Sequence, residues 1–211
     1  MRAVVVRSYG PPSQIGVEDA PAPQVKPGQV RIRVHAVGFG FPDALMVSGK
    51  YQVKPEVPFT PGSEVAGVVT EIASDIIHIQ PGARVLAMAG QGGLAEECVV
   101  NASSLIPLPD AMTMSDAAGF LVNYGTTYHA LVQRANLKAG ETLLVLGAAG
   151  GVGLTAIEIV KALGARVLAA ASTDEKLALA KAHGADQRRD FVEHRKHFAR
   201  HGLVVRHARR D

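Results

Sequence analysis

Gly147, Gly150, Gly151 and Gly153 stand within seven residues of one another, directly behind the apolar run Thr142-Leu143-Leu144-Val145-Leu146. A buried parallel strand that turns through glycines into a helix gathers free backbone N–H groups at the positive end of the helix dipole. Such a point attracts a diphosphate. The spacing is not a strict G-x-G-x-x-G: Ala148 takes the first glycine position, and Gly150 and Gly153 take the other two. Ala149, Gly150, Gly151 and Val152 are the residues placed to face the diphosphate. The plainer reading is a tight turn with no ligand.

The residues after the turn support a ligand. Residues 154–163 have helical spacing and stop at Gly164. Residues 165–171 form a second apolar run, and residues 174–183 a second helical stretch closed by Gly184. Strand, glycine turn, helix and strand make a βαβ unit. An NAD-specific unit places Asp or Glu at the end of the second strand, on the ribose 2′-hydroxyl. Here that place holds Ala170, Ala171, Ser172 and Thr173, with Lys176 one turn on. Small hydroxyls and a lysine accept the 2′-phosphate that a carboxylate would repel. Ser172, Thr173 and Lys176 therefore point to NADPH. Ser172 and Thr173 also suit the cap of the adjoining helix, and the two readings are compatible.

The chain has 211 residues, 47% of them apolar, enough for one large domain or two small ones. Its single cysteine, Cys98, excludes a disulfide framework and a multi-cysteine metal site, and its setting suits a packed core residue. No apolar run reaches membrane-spanning length, and the start, Met1-Arg2-Ala3-Val4-Val5-Val6-Arg7, lacks a signal-peptide core. A soluble cytoplasmic protein without a membrane partner is expected. The net charge of +3 arises at one end: residues 187–211 carry eight Lys/Arg against three Asp/Glu. The preceding residues are slightly acidic, so the charge gives no ground for a nucleic-acid partner.

The N-terminal half has another texture. Short β-rich runs at 3–6, 29–36, 64–72, 84–88 and 95–100 alternate with turns such as Lys26-Pro27-Gly28-Gln29 and Gln80-Pro81-Gly82-Ala83. Such a pattern suggests a small barrel or sandwich. Residues 113–135 then suggest two helical pieces broken around Gly125.

Several motifs in register carry a resemblance. They are Val37-Gly38-Phe39-Gly40-Phe41-Pro42-Asp43-Ala44-Leu45, Gly49-Lys50-Tyr51, residues 57–69, Pro81-Gly82-Ala83-Arg84-Val85, Gly92-Gly93-Leu94-Ala95-Glu96, Tyr124-Gly125-Thr126-Thr127 and the glycine turn. Over about residues 1–186 the chain resembles the medium-chain dehydrogenase/reductases, in particular their zinc-free NADPH:quinone oxidoreductase group. The resemblance implies an α/β protein with a β-rich N-terminal domain: a GroES-like barrel at 1–122 and an incomplete Rossmann domain at 123–186. A divergent basic tail at 187–211 completes the chain.

The resemblance also implies roles. Tyr51 matches a tyrosine that donates a hydrogen bond near the acceptor, and Phe41, Pro42 and Asp43 match a segment that approaches the nicotinamide. Thr127 matches a hydroxyl near the cofactor. Each has a plainer alternative: Tyr51 as a packing aromatic, Asp43 as a turn former, Thr127 as a residue that caps or bends its helix. Zinc members of the superfamily carry Cys in place of Gly40 and His in place of Ser63. Glu64 alone cannot supply the three ligands that a catalytic zinc needs, so no metal is expected.

The implied activity is hydride transfer from NADPH to a quinone or similar conjugated carbonyl. Two departures bear on the acceptor: Gly40 stands where family members often have Asn, and Leu45 where some have a second tyrosine. An enoyl or alkenal reductase is the competing enzyme, and a non-catalytic NADPH-binding or scaffold protein is the alternative outside catalysis. The change of composition after Asp186 resembles a frameshift or early stop. Truncation there predicts weak or absent activity, with an uncovered sheet edge that favours self-association. In the tail, His194, His197 and His201 share one possible helix face that could bind a metal, and the arginines could contact phosphate. A disordered basic tail is the plainer reading.

Overall fold

Val30 and Ile32 are fully buried while Arg33 and His35 face water, the alternation of a strand with one face on a core. The computed structural model describes residues 1–190. They fall into two units, Met1–Leu121 and a second that begins at Val122.

The first unit is built from β1 (Arg2–Val5), β2 (Gly16–Asp19), β3 (Gln29–Gly38), β4 (Glu64–Ile72), β5 (Arg84–Met88), β6 (Glu97–Asn101) and β7 (Leu105–Pro107). The last five form one antiparallel sheet in the order β6-β3-β4-β5-β7. β1 and β2 pair separately, and bridges from Ala3 to Ala95 and from Val6 to Phe59 tie that hairpin to the rest. Val30, Ile32, Val65, Val69, Val85, Ala87, Cys98 and Val100 fill the main core. All five expected strands are present. β2 and β7 are additions: β2 has no buried residue, and β7 is three residues long, too short for an alternation to be read.

Two short helices serve this unit. α1 (Phe41–Val47) packs Met46 and Val47 against Val6 and Phe59. α2 (Met114–Ala118) starts at Thr113, whose hydroxyl oxygen accepts from Asp116 N–H at 3.1 Å. It covers Ala66, Leu86 and Leu108. Helical backbone resumes as wide, π-type turns at Leu121–Gly125, α3 (Thr126–Tyr128) and further wide turns at His129–Arg134. Gly125 itself is helical, with φ −62° and ψ −46°. The interruption expected there falls instead at Gly119 and Phe120, because glycine permits a break without imposing one.

The second unit runs β8 (Thr142–Leu146), α4 (Gly151–Ala162), β9 (Arg166–Ala171), α5 (Asp174–Ala182) and β10 (Gln187–Asp190). Its sheet is parallel in the order β10-β9-β8. Leu143, Val145, Ala156, Ile157, Val160, Val167 and Ala169 fill its core. Residues 187–190, expected in the tail, are thus a third strand whose Gln187 pairs with Leu168. Its polar sequence hid it. Among the described residues β8 pairs with β9 alone. His194, His197 and His201 lie outside the described residues, as does most of the basic tail. Among the described residues no helix is long and apolar enough to cross a membrane.

Candidate functional site

The turn between β8 and α4 needs glycine at two positions for two reasons. Gly147 has φ +65°, in the left-handed region that glycine tolerates. Gly153 has ordinary φ but no space: a methyl group there would lie 2.5 Å from the Gly147 carbonyl oxygen and 2.8 Å from Ala148 Cα. The helix therefore packs directly onto the turn. Ala148 N–H donates to the Ala170 carbonyl at 3.1 Å, which joins the turn to the end of β9. Gly150 caps α4 without a side chain, so the N–H groups of the first helical turn are left for a ligand or water. Gly150, Gly151 and Val152 are exposed there, and Ala149 is half-buried.

The ends of β8 and β9 lie side by side because the strands are parallel neighbours. A pocket of about 440 Å³ opens between them, lined by Gly147, Ala149, Gly150, Ala171, Ser172 and Lys176. The structure thus brings the glycine turn together with two of the three residues expected to choose the cofactor. Lys176 Nζ donates to Ser172 Oγ at 3.4 Å. Thr173 does not line the pocket; its hydroxyl oxygen caps α5, accepting from Lys176 N–H at 3.3 Å. Asp174 and Glu175 stand in the first turn of α5, where negative charge suits the helix dipole, and neither lines the pocket.

Thr127 is fully buried and its hydroxyl lies 2.8 Å from Thr155 Oγ1. With no exposed surface in this structure, Thr127 joins α3 to α4. Thr155 also reaches the Asn123 carbonyl at 3.4 Å and the Gly151 carbonyl at 3.1 Å, so one residue of α4 anchors the preceding wide turn. Farther along α4, Glu158 accepts from the Tyr124 hydroxyl through Oε2, and its Oε1 lies 2.6 Å from His183 Nδ1. Desolvation raises the Glu158 pKa, but the bonds from Tyr124 and His183 and the charge of His183 outweigh it, so the carboxyl sits below its ordinary range. Donation to Glu158 pushes the Tyr124 phenol up to about 12. Asn123, Glu158 and His183 carry no signal in the sequence, and Tyr124 enters there only as part of a motif. No local spacing links positions that lie up to 34 residues apart.

In the first unit, α1 presents Phe41 and Pro42 as its first two residues, and Phe41 is 76% exposed. Asp43 is 2% exposed. Its Oδ2 accepts from Gly40 N–H at 2.8 Å and its Oδ1 accepts from the Ser63 hydroxyl at 2.5 Å. Both oxygens are thus engaged within the unit, one at the start of α1 and one by Ser63. Tyr51 packs its ring on the cluster of Val6, Met46, Val47 and Phe59. Cys98 is 2% exposed, and burial pushes its thiol up to about 12, as for an inert core residue. Among the described residues no three His, Cys, Asp or Glu side chains converge to hold a metal ion.

Two family models match the chain: the alcohol dehydrogenase GroES-like domain at residues 26–110 and the zinc-binding dehydrogenase model at residues 151–200. The quinone oxidoreductase-like protein 2 homolog of Nematostella vectensis is 40% identical over 194 residues, which are 90% of this chain and 52% of that protein. The quinone oxidoreductase of Thermus thermophilus, solved alone and with NADPH, superposes with a TM-score of 0.81 at 41% identity. That match covers 92% of this chain and 61% of the other. The chain belongs to the medium-chain dehydrogenase/reductase superfamily, in its quinone oxidoreductase-like group. A probable oxidoreductase of the same fold from Mycobacterium abscessus has a TM-score of 0.84 at 41% identity, covering 89% of this chain and 60% of that one. The chain spans about half the length of the curated relatives it matches. The match to the dehydrogenase model runs to residue 200, past the 186 at which the resemblance was expected to end. The sheet agrees, since β10 begins at Gln187.

Proposed function

We propose that the second unit binds NADPH, and that the chain serves a cytoplasmic, zinc-independent oxidoreductase that reduces a quinone or similar conjugated carbonyl. One observation carries the cofactor: Ser172 and Lys176 line the same pocket as the glycine turn, and no lining residue is a carboxylate. The diphosphate suits the open first turn of α4, and the 2′-phosphate suits the Lys176 ammonium and the Ser172 hydroxyl. The quinone oxidoreductases of Thermus thermophilus and Escherichia coli, both solved with NADPH, support the choice.

When bound, the nicotinamide supplies a hydride. The first unit supplies Tyr51 as hydrogen-bond donor to the acceptor oxygen. Its hydroxyl makes no hydrogen bond to another described residue, so its proton is available. Phe41 and Pro42 offer apolar surface at the exposed start of α1, and Asp43 holds that start in place through Gly40 and Ser63.

Fluorescence titration with NADPH and NADH tests the cofactor. NADPH binds more tightly, and Lys176→Glu removes that preference by about tenfold or more, the worth of a charge-assisted hydrogen bond. Equal affinity for the two dinucleotides in the unaltered protein overturns the reading. Steady-state assays with a quinone and with an enone then separate a quinone reductase from an alkenal reductase.

A further inference from the structure

Gly151, the first residue of α4, has neither a positive φ nor a turn to explain it. What it has is a neighbour. A methyl group at Gly151 would lie 2.8 Å from Asn123 Oδ1 and 3.0 Å from Asn123 Nδ2. The side-chain amide of Asn123 therefore rests on the opening residue of the helix, where a methyl group would displace it.

The amide is also held from behind. The Asn123 carbonyl lies 3.4 Å from Thr155 Oγ1, and Thr155 is itself paired with the buried Thr127. The next residue, Tyr124, is tied to Glu158 on the same helix. Two anchors on α4 thus fix the wide turn that carries Asn123. The side chain itself makes no hydrogen bond to another described residue, although it is half-buried. An amide has two donor hydrogens and an acceptor oxygen, and here they face solvent rather than a protein partner, open to a ligand. A donor carried on an anchored turn, without a partner among the described residues and against the first turn of a helix whose own N–H groups are open, matches an anion at that point.

We infer that Asn123 is a further ligand of the dinucleotide, its Nδ2–H donating to a diphosphate oxygen beside the N–H groups of Gly151 and Val152. This rests on the dinucleotide reading above and adds a donor that the glycine motif does not contain. It also explains Gly151: the position is kept small so that the amide can lie against the helix and reach the same oxygens.

The test uses the full chain and three probes: NADPH, NADH and adenosine 2′-monophosphate. The last carries the 2′-phosphate but no diphosphate bridge. Asn123→Ala weakens NADPH and NADH alike by about tenfold, the worth of a hydrogen bond to a charged group. Asn123→Asp keeps the shape but sets a carboxylate against the diphosphate, and weakens both by about a hundredfold. Adenosine 2′-monophosphate binds both variants as it binds the unaltered protein. Unchanged dinucleotide affinity in Asn123→Asp overturns the assignment while leaving the site intact. Parallel loss of all three probes makes Asn123 part of the fold rather than a ligand, which also overturns it. If the unaltered protein binds no dinucleotide, the site reading falls and the inference falls with it.

Discussion

His183 Nδ1 stands 2.6 Å from Glu158 Oε1, joining the end of α5 to the middle of α4. The Tyr124 hydroxyl donates to the other oxygen of the same carboxylate, so one acid fastens three segments. The folded-state pKa of Glu158 lies below its ordinary 4.5. Its contribution to stability is therefore present above about pH 4.5 and is lost as pH falls through the folded value. Tyr124 behaves oppositely: with its pKa raised to about 12, its contribution is complete below pH 10 and is lost as pH rises through 12. Thermal melts of Glu158→Gln, taken from pH 6 down to pH 3, should fall less steeply than those of the unaltered protein. Identical slopes would remove Glu158 from the acid response.

Gly153→Ala places a methyl group 2.5 Å from the Gly147 carbonyl oxygen. The helix must move off the turn, at a cost of about 1–3 kcal/mol for overpacking. Denaturant unfolding reads that loss, and NADPH titration of the folded fraction reads a weaker site. A variant as stable and as tightly binding as the parent would show that the close approach is dispensable.

Thr127→Val removes a buried hydroxyl and leaves Thr155 without that partner. The expected loss is about 1–2 kcal/mol of stability. Because Thr127 has no exposed surface, the ratio of NADPH to NADH affinity should stay unchanged. A shift in that ratio would support Thr127 as a cofactor contact.

Tyr51→Phe keeps the ring on Met46, Val47 and Phe59 and deletes only the hydroxyl. Stability should change by about 0.5 kcal/mol or less, as for a side chain that donates to no protein group. If Tyr51 is the donor to the acceptor, kcat for quinone reduction falls about 10–100-fold with little change in KM for NADPH. Full turnover by the variant would make Tyr51 a packing residue.

The βαβ unit was legible because its signals are local. Leu143 and Val145 alternate inward, the glycines come at once after them, and Gly164 and Gly184 close the two helices. The meeting of Ser172 and Lys176 with the glycine turn was legible for a related reason: adjacent parallel strands end on the same edge. What escaped depends on partners far along the chain. That Asp43 is held by Ser63, twenty residues on, is written in no local pattern. Thr127 meets Thr155 twenty-eight residues on, and Asn123 lies against Gly151, which leaves it a gap. β10 escaped because Gln187 and its polar successors take their strand conformation from the register of β9, not from an apolar pattern.

Ser172, Thr173, Asp174, Glu175 and Lys176 are all exposed, whereas Ala170 and Ala171, just before them, are buried. The groups proposed to distinguish a phosphorylated ribose from a bare one therefore sit outside the packed interior. Exchanges at such surface positions typically shift stability by no more than about 0.5 kcal/mol, the Thr173 cap excepted. On the proposed assignment, the choice of reductant and the integrity of the sheet are separable traits. A lineage could drift between the two nicotinamide dinucleotides by changing a few outward-facing side chains, while the turn proposed to hold their common diphosphate stays as it is.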